Sequence, residues 1–509
     1  MGSFANFTIG GISLIVFSII VNVLIVFFLV NYQKNIRRYQ TIKAMLYLSI
    51  YPYVFGMIVI IVVLYNEYNA IFYERWPGPF WYIVITGYVI LIGDILLLIA
   101  YFGKLWLLRL NYRFKHNWGP YLVQTAEPHH SVKIIWKGKL KKGEKPIELI
   151  GVKDYKTQIC NIQDKKASWV RGLRQAIISG LEPDTEYEYT IRRSKSLLSF
   201  LLDSSNYETE TYNFHTLKEP FLARKNQKET NISFLVIGDM HAGGHNVGPL
   251  ISIIKNHHKE VDFIITLGDI VSDSRYIAHF KTYFGQMRNI VSQIPMYYCT
   301  GNHDGFTKSG YYNLTTIFPQ PYVDRETGGY FSQIISNNLF VFLDVYNAGT
   351  NFEKINKEQE KWLESEISEA SKNPNIINIF LFMHNQPFAR IEKEIHPDLG
   401  PILEPMIERH KKIKVVFGGH YHSFKTNVKD YGDHSTFYIV TGGGGGKTSY
   451  GMSKYLGKHN PYLYEKEHKR IKHFMRIDLN IKDTNDYQTI SMTAFDWKNN
   501  VLWYNVIGD

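Results

Sequence analysis

Residues 230–244 read TNISFLVIGDMHAGG, an apolar, β-branched run that stops at Asp239 and His241, two ligand-type side chains separated by one residue. The same pattern returns at 261–273, VDFIITLGDIVSD, which stops at Gly268-Asp269. It returns again at 294–305, IPMYYCTGNHDG, which stops at Gly301, Asn302, His303 and Asp304. Stretches of helical period lie between them, VGPLISIIKNHHKE at 247–260 and YIAHFKTYFGQMRNIVSQI at 276–294. Strands alternating with helices predict a parallel, helix-covered sheet. Ligands bind such sheets outside the carboxyl ends of the strands, so the three polar clusters are expected on one edge.

Two more strands follow the rule. NIINIFLFMHNQPF (375–388) ends at His384, and IKVVFGGHYHSF (413–424) ends at His420 and His422. A single histidine after a strand is ordinarily a satisfied surface or core residue, but five successive strands ending in Asp, Asn or His are not explained that way. Glycine precedes the cluster in four of the five, at Gly238, Gly268, Gly301 and Gly419, which allows close backbone approach. The donors mix imidazole, carboxylate and amide oxygen without cysteine, a set suited to Zn, Mn or Fe. The candidate ligands Asp239, His241, Asp269, Asn302, His384, His420 and His422 are too many for one tetrahedral ion. They suit two divalent metal ions about 3.5–4 Å apart sharing one carboxylate.

In order and spacing these segments resemble the five motifs of the calcineurin-like metallophosphoesterase superfamily, over roughly residues 230 to 445. The resemblance implies an α/β fold, a four-layer αββα sandwich, and a metal-dependent hydrolase of phosphate mono- or diesters. It implies that Asp239, His241 and His422 hold one metal, that Asn302, His384 and His420 hold the other, and that Asp269 bridges them. The remaining catalytic role falls on His303, with Asp304 expected to orient its ring.

Upstream, residues 118 to about 217 show short alternating strands and turns, the mark of a small β-sandwich. In ISGLEPDTEYEYTIRR (178–193), Leu181, Pro183, Thr185, Tyr187 and Tyr189 recur at every second position, which resembles a fibronectin type III module. Such a module before the catalytic domain is similar to the layout of purple acid phosphatases, as is the segment TFYIVTGGGGGKTSY (436–450). That segment fails as a nucleotide-binding loop because Thr441 stands where the first glycine is required. Its glycines are expected to pass close to the metal site. Two departures from the purple acid phosphatase pattern, Ser272 in place of a metal-binding tyrosine and His241 in place of a glycine, favour a histidine-ligated divalent pair.

The first part of the 509-residue chain differs from the rest. Apolar runs at about 9–31, 44–65 and 80–102 are each long enough, at about 20 residues, to cross a bilayer as a helix. Lys34, Arg37, Arg38 and Lys43 follow the first run, and Lys104, Arg109, Arg113 and Lys115 follow the third, whereas the intervening loop holds Glu67, Glu74 and Arg75. By the retention of basic loops in the cytoplasm, the soluble body is expected on the cytoplasmic face, with an extracytoplasmic placement as the alternative. Asp94 lies in the third run, where a helix-holding carboxyl is the plainer reading. Asn6 is a weak glycosylation candidate. A net charge of +11 without an aromatic-basic stripe fits an anionic leaflet better than nucleic acid. Cys160 and Cys299 imply no disulfide framework.

The expected organisation is therefore a membrane block at 1–115, a fibronectin III-like domain at 116–220 and a catalytic domain at 221–509. The leading expectation is a membrane-anchored phosphoesterase whose substrate is a soluble or lipid-linked ester. The alternatives are an inert scaffold or receptor and a nuclease-type phosphodiesterase. His245 and His396 are candidates for substrate contact, and the tail is expected to form a hairpin turned at Asn499-Asn500.

Overall fold

The computed structural model describes residues 118–508 apart from internal stretches, the longer ones being 138–146, 162–169, 195–206, 220–228, 320–328, 389–397 and 447–463. The chain divides into two units, Met1–Lys115 and His116–Asp509. Among the described residues no helix is long and apolar enough to cross a membrane. The three expected spans, Asp94 and Asn6 lie outside the described residues.

Seven strands come first: β1 (Trp118–Val123), β2 (Ser131–Lys137), β3 (Ile147–Ile150), β4 (Lys156–Asn161), β5 (Leu173–Ser179), β6 (Glu186–Ser194) and β7 (Tyr207–His215). They split into a β1-β2-β5-β4 group and a β3-β6-β7 sheet, the strand partition of an immunoglobulin constant-type sandwich. Trp136, Ile134 and Ile178 from the first group pack with Tyr189, Ile191 and Phe214 from the second to form its core. The Tyr187 hydroxyl accepts the Glu182 N–H at 2.7 Å, a tyrosine corner that fixes the entry into β6.

The second part runs β8 (Glu229–Ile237), β9 (Phe263–Thr266), α1 (Ile277–Val291), β10 (Met296–Tyr298), the single turn α2 (Asn302–Gly305), α3 (Lys308–Ile317), β11 (Phe331–Ile335), β12 (Asn338–Phe342), α4 (Lys357–Lys372), β13 (Asn378–Phe382), α5 (Gly400–Arg409), β14 (Ile413–Gly418), β15 (Phe424–Asp430), β16 (Ser435–Thr441), β17 (Tyr464–Lys469), β18 (His473–Lys482), β19 (Tyr487–Asp496) and β20 (Val501–Ile507). Helix starts follow local chemistry. The Asn356 side chain accepts the Gln359 N–H at 2.8 Å to cap α4, and Thr307 caps α3 through the Gly310 N–H at 3.1 Å.

Two sheets stack face to face. One has the order β20-β19-β18-β8-β9-β10-β1-β2-β5-β4, the other β11-β12-β13-β14-β16-β15-β17. Phe234 and Phe263 of the first meet Phe340, Phe382 and Phe417 of the second in a buried aromatic layer. On the outer face of the first, Phe280, Tyr283 and Phe284 of α1 and Leu314 of α3 are buried. On the outer face of the second, Leu363 and Ile367 of α4 pack with Leu403 and Ile407 of α5. The layers are helix, sheet, sheet, helix. The single parallel sheet that strand–helix alternation predicts is thus two mixed sheets, each with a parallel centre and antiparallel flanks. Each faces the other on one side, so helices are needed only outside.

The sandwich is not a separate spacer. Strand β1 pairs in parallel with β10, with Val123 opposite Met296, so one sheet runs through both parts. Trp118 and Tyr121 pack on Phe284 with ring centroids 4.8 and 4.1 Å apart, and the Tyr189 hydroxyl donates to the Ser292 carbonyl at 2.6 Å. Sequence periodicity shows a strand but not its distant partner: the expected boundary at 220 leaves the sandwich a core of its own and cuts through a second one that both parts share.

Candidate metal centre

The carboxyl ends of β8, β9 and β10, three adjacent parallel strands, deliver Asp239 with His241, then Asp269, then Asn302. The ends of β13 and β14 in the facing sheet deliver His384, then His420 with His422. Four of these residues sit in left-handed backbone, Asp239 at φ 59°, His241 at 48°, Asp269 at 52° and His420 at 66°. Such conformations disfavour side-chain-bearing residues and persist where the surroundings over-determine them, characteristically at functional sites.

Two groups form. The ligand atoms of Asp239, His241, Asp269 and His422 all lie within 4.8 Å of one another. Nε2 of His241 is 3.0 Å from Nε2 of His422 and 3.3 Å from Asp269 Oδ2, while His422 Nε2 is 3.3 Å from Asp239 Oδ1. In the second group, Asn302 Oδ1 lies 3.0 Å from His384 Nε2 and 3.1 Å from His420 Nδ1. Asp269 Oδ2 belongs to both, being 3.5 Å from His384 Nε2.

Each carboxylate is tied by one oxygen and offered by the other. Asp239 Oδ2 accepts the His420 N–H at 2.8 Å, whereas its Oδ1 is buried without a hydrogen bond. Asp269 Oδ1 accepts the His303 N–H at 2.8 Å, which leaves Oδ2 facing the histidines. The His384 Nδ1 lies 2.6 Å from the Leu267 carbonyl. A carbonyl only accepts, so Nδ1 carries the hydrogen and the Nε2 lone pair faces the oxygens of Asn302 and Asp269. Lone pairs facing lone pairs require a cation between them, and the residues fit a divalent metal pair.

Electrostatics agree. Burial pulls His241 down to about 3 and His384 to about 4, so both are neutral donors near pH 7. Burial and the charges of Asp239 and Asp304 push Asp269 up. Burial also opposes ionisation of Asp239, but the nearby His422, His384 and His241 outweigh it, and the carboxyl falls to about 2. A bound cation relieves the cost of charging Asp269.

The glycine run ends β16 and returns over this centre. Gly444 N–H donates to Gly238 O and Gly446 N–H to Asp239 O, each at 2.9 Å. A Cβ on Gly446 would lie 2.7 Å from His422 Cε1 and 2.8 Å from His241 Cδ2. The requirement for glycine is contact with two imidazoles. Beneath the same loop Gly443 packs on the buried ring of His473, a neighbour with no sign in the sequence.

His303 stands beside the first group, its ring 4.6 Å from that of His241. Its Nδ1 is 2.7 Å from the Ser272 carbonyl, and the Ser272 hydroxyl donates to the His241 carbonyl at 2.6 Å. Asp304 takes a different post from the ring-orienting one expected of it. Its Oδ2 accepts backbone N–H groups of Gly301 at 3.2 Å and Ile270 at 3.4 Å, and its Oδ1 has no hydrogen bond. The reason is local, because α2 starts at Asn302 and turns the Asp304 side chain inward to full burial. His257 meets Asn499 at 2.7 Å and packs on Phe495, while His245 and His396 lie outside the described residues.

Residues 232–424 match the family model of the calcineurin-like phosphoesterases. Among solved structures, the purple acid phosphatase PPD1 from yellow lupin (Lupinus luteus) seeds is similar with a TM-score of 0.59 at 14% identity, over 76% of this chain and 74% of that one. The likeness is one of fold. GAP50, named as the anchor in the inner membrane complex of Plasmodium, is similar with a TM-score of 0.39 at 16% identity, over 55% of this chain and 89% of that one. No curated protein matches the chain.

Proposed function

We propose, from the phosphoesterase match over residues 232–424, that the chain hydrolyses phosphate mono- or diesters at a dinuclear divalent metal centre. The observation that carries this is the single carboxylate oxygen, Asp269 Oδ2, placed between two histidine groups. When bound, a pair of divalent ions supplies Lewis acidity toward phosphate oxygens and water. Asp239, His241 and His422 would hold one ion and Asn302, His384 and His420 the other, with Asp269 shared.

The protein's own groups do the rest. Asp239 and Asp269 are held rigid by main-chain N–H donors, so they need little reorganisation as charge develops. The Ser272 carbonyl keeps a hydrogen on Nδ1 of His303. Nε2 is then the nitrogen that, when it also carries a hydrogen, gives that proton to the leaving oxygen, the ring returning to its neutral form with the remaining hydrogen on Nδ1. Ser272 and His241, at positions where purple acid phosphatases differ, support Mn, Zn or Fe(II) held by histidines over a tyrosinate centre.

The apolar runs at 9–31, 44–65 and 80–102 support anchoring of this unit in a membrane, and the basic loops favour the cytoplasmic face. A soluble or a lipid-linked ester fits that placement. A C-terminal tag protected from external protease in sealed vesicles is the expected result, and digestion from outside reverses the sidedness. For the chemistry, the full chain with added Mn or Zn is expected to cleave a nitrophenyl phosphomonoester or diester. Asp269→Asn is expected to lower turnover by about 10³-fold, within the range that single electrostatic groups supply. Metal-loaded protein without turnover on either ester, or on lipid-linked ones, would point to a scaffold instead.

A further inference from the structure

The motif Gly301-Asn302-His303-Asp304 pairs a histidine with a neighbouring carboxylate, and a His-Asp dyad is the obvious reading. The geometry assigns a different task. We propose that Asp304 is a positioning residue that sets the spacing between the loop carrying Asp269 and the loop carrying Asn302, while the His303 Nδ1 is held by the Ser272 carbonyl. This rests on the metal-dependent reading above.

Three observations carry it. Asp304 is 0% exposed, and its Oδ2 collects one N–H from each loop, Ile270 following Asp269 and Gly301 preceding Asn302. The loops touch there, since a Cβ on Gly301 would run into the Asp269 carboxylate and backbone nitrogen. The second oxygen, Oδ1, which a dyad would use to bond the imidazole, is buried and makes no hydrogen bond. Further ties run in the same direction. The His303 N–H donates to Asp269 Oδ1 at 2.8 Å, and the Ser274 N–H donates to the His303 carbonyl at 3.3 Å.

The consequence is specific to the shared carboxylate. Asp269 Oδ2 has to stay within reach of His241 in one group and His384 in the other, and Asn302 Oδ1 has to stay within reach of His384 and His420. Removing the Asp304 carboxylate leaves one buried N–H on each loop without an acceptor. The loops then separate, and the group containing Asn302 loosens before the one containing His422. An amide at the same position keeps an acceptor oxygen for both N–H groups.

The test uses the full chain as wild type, Asp304→Asn and Asp304→Ala, with metal content per chain by elemental analysis and the pH profile of kcat/KM measured side by side. Asp304→Asn is expected to bind two metals per chain and to turn over within about threefold of wild type. Asp304→Ala is expected to fall toward one metal per chain, with second-site affinity down roughly 10–100-fold, and to regain turnover as Mn or Zn is raised. The acid limb of the profile stays in place in both. Full metal occupancy in Asp304→Asn with turnover down a hundredfold and the acid limb moved would establish the dyad and overturn the proposal. If Asp304→Ala does not fold, Asp304→Asn alone decides between them. A wild type that binds two metals but cleaves no ester defeats the functional reading and leaves the metal-content arm to judge this one.

Discussion

At the scale of single residues the candidate centre divides labour between groups that would hold metal and groups that hold those groups. His303 belongs to neither set, because its Nδ1 meets the Ser272 carbonyl and its ring lies beside that of His241. His303→Ala is therefore expected to keep its metals while kcat falls by about 10²–10⁴. Metal analysis beside steady-state kinetics checks this, and loss of metal would make His303 structural. Gly446 is the complementary case. A methyl there meets the His422 and His241 rings at 2.7–2.8 Å. Gly446→Ala is accordingly expected to weaken metal binding about 10–100-fold with little change in melting temperature of the metal-free protein. The candidate ligands stand out in the sequence because Asp, Asn and His close five successive apolar runs. Ser272 and Leu267 do not, because they act through carbonyl groups that every residue possesses. Asp304 was legible as a residue and misleading as a role, since main-chain N–H partners leave no trace in the motif.

At the scale of elements, the strand ends were readable from apolar runs that stop at polar clusters. The stacking of β8, β9 and β10 against β12, β13 and β14 was implied only by resemblance, because a strand buried on both faces reads the same under a helix as under another sheet. Strand β18 illustrates what such burial costs. Its first residue, His473, is 0% exposed, donates Nδ1–H to the Ile471 carbonyl at 2.7 Å and is lowered by burial to about 4. Its unfolded value is about 6.5. Between those values the unfolded chain binds the proton and the folded chain does not, so stability present above pH 6.5 is lost as pH falls toward 4. The loss amounts to roughly 3 kcal/mol. Urea midpoints at pH 7 and 4.5 are expected to differ less in His473→Gln than in the wild type. An equal difference in both would assign the acid sensitivity elsewhere.

At the scale of the whole unit, the sandwich and the layers that follow it share one sheet and one aromatic cluster, Trp118, Tyr121, Phe284 and Phe318. A fragment of residues 221–509 exposes Phe284 and Phe318 and leaves β10 with an unpaired edge, a condition that invites aggregation. It is expected to elute in the void volume on size-exclusion chromatography, whereas residues 116–509 elute as a discrete species. A soluble, metal-binding 221–509 fragment would show that the shared core is dispensable. The chain's division at this level was half visible. Composition separates the apolar first 115 residues from the remainder, but the choice of β10 as the partner of β1 is made by three-dimensional packing across the intervening sequence.

That choice also orders events in time. Val123 waits for Met296, a partner 173 positions later in the chain. At about 5–20 residues added per second, roughly 10–35 s of synthesis pass between the two. During that interval β2 can pair with β1 and β5 with β2, yet the opposite edge of β1 and the faces of Trp118 and Tyr121 stand open beside the ribosome. The unit is thus one whose first-made strand gains its second neighbour late, and a window of open sheet edge is built into its topology.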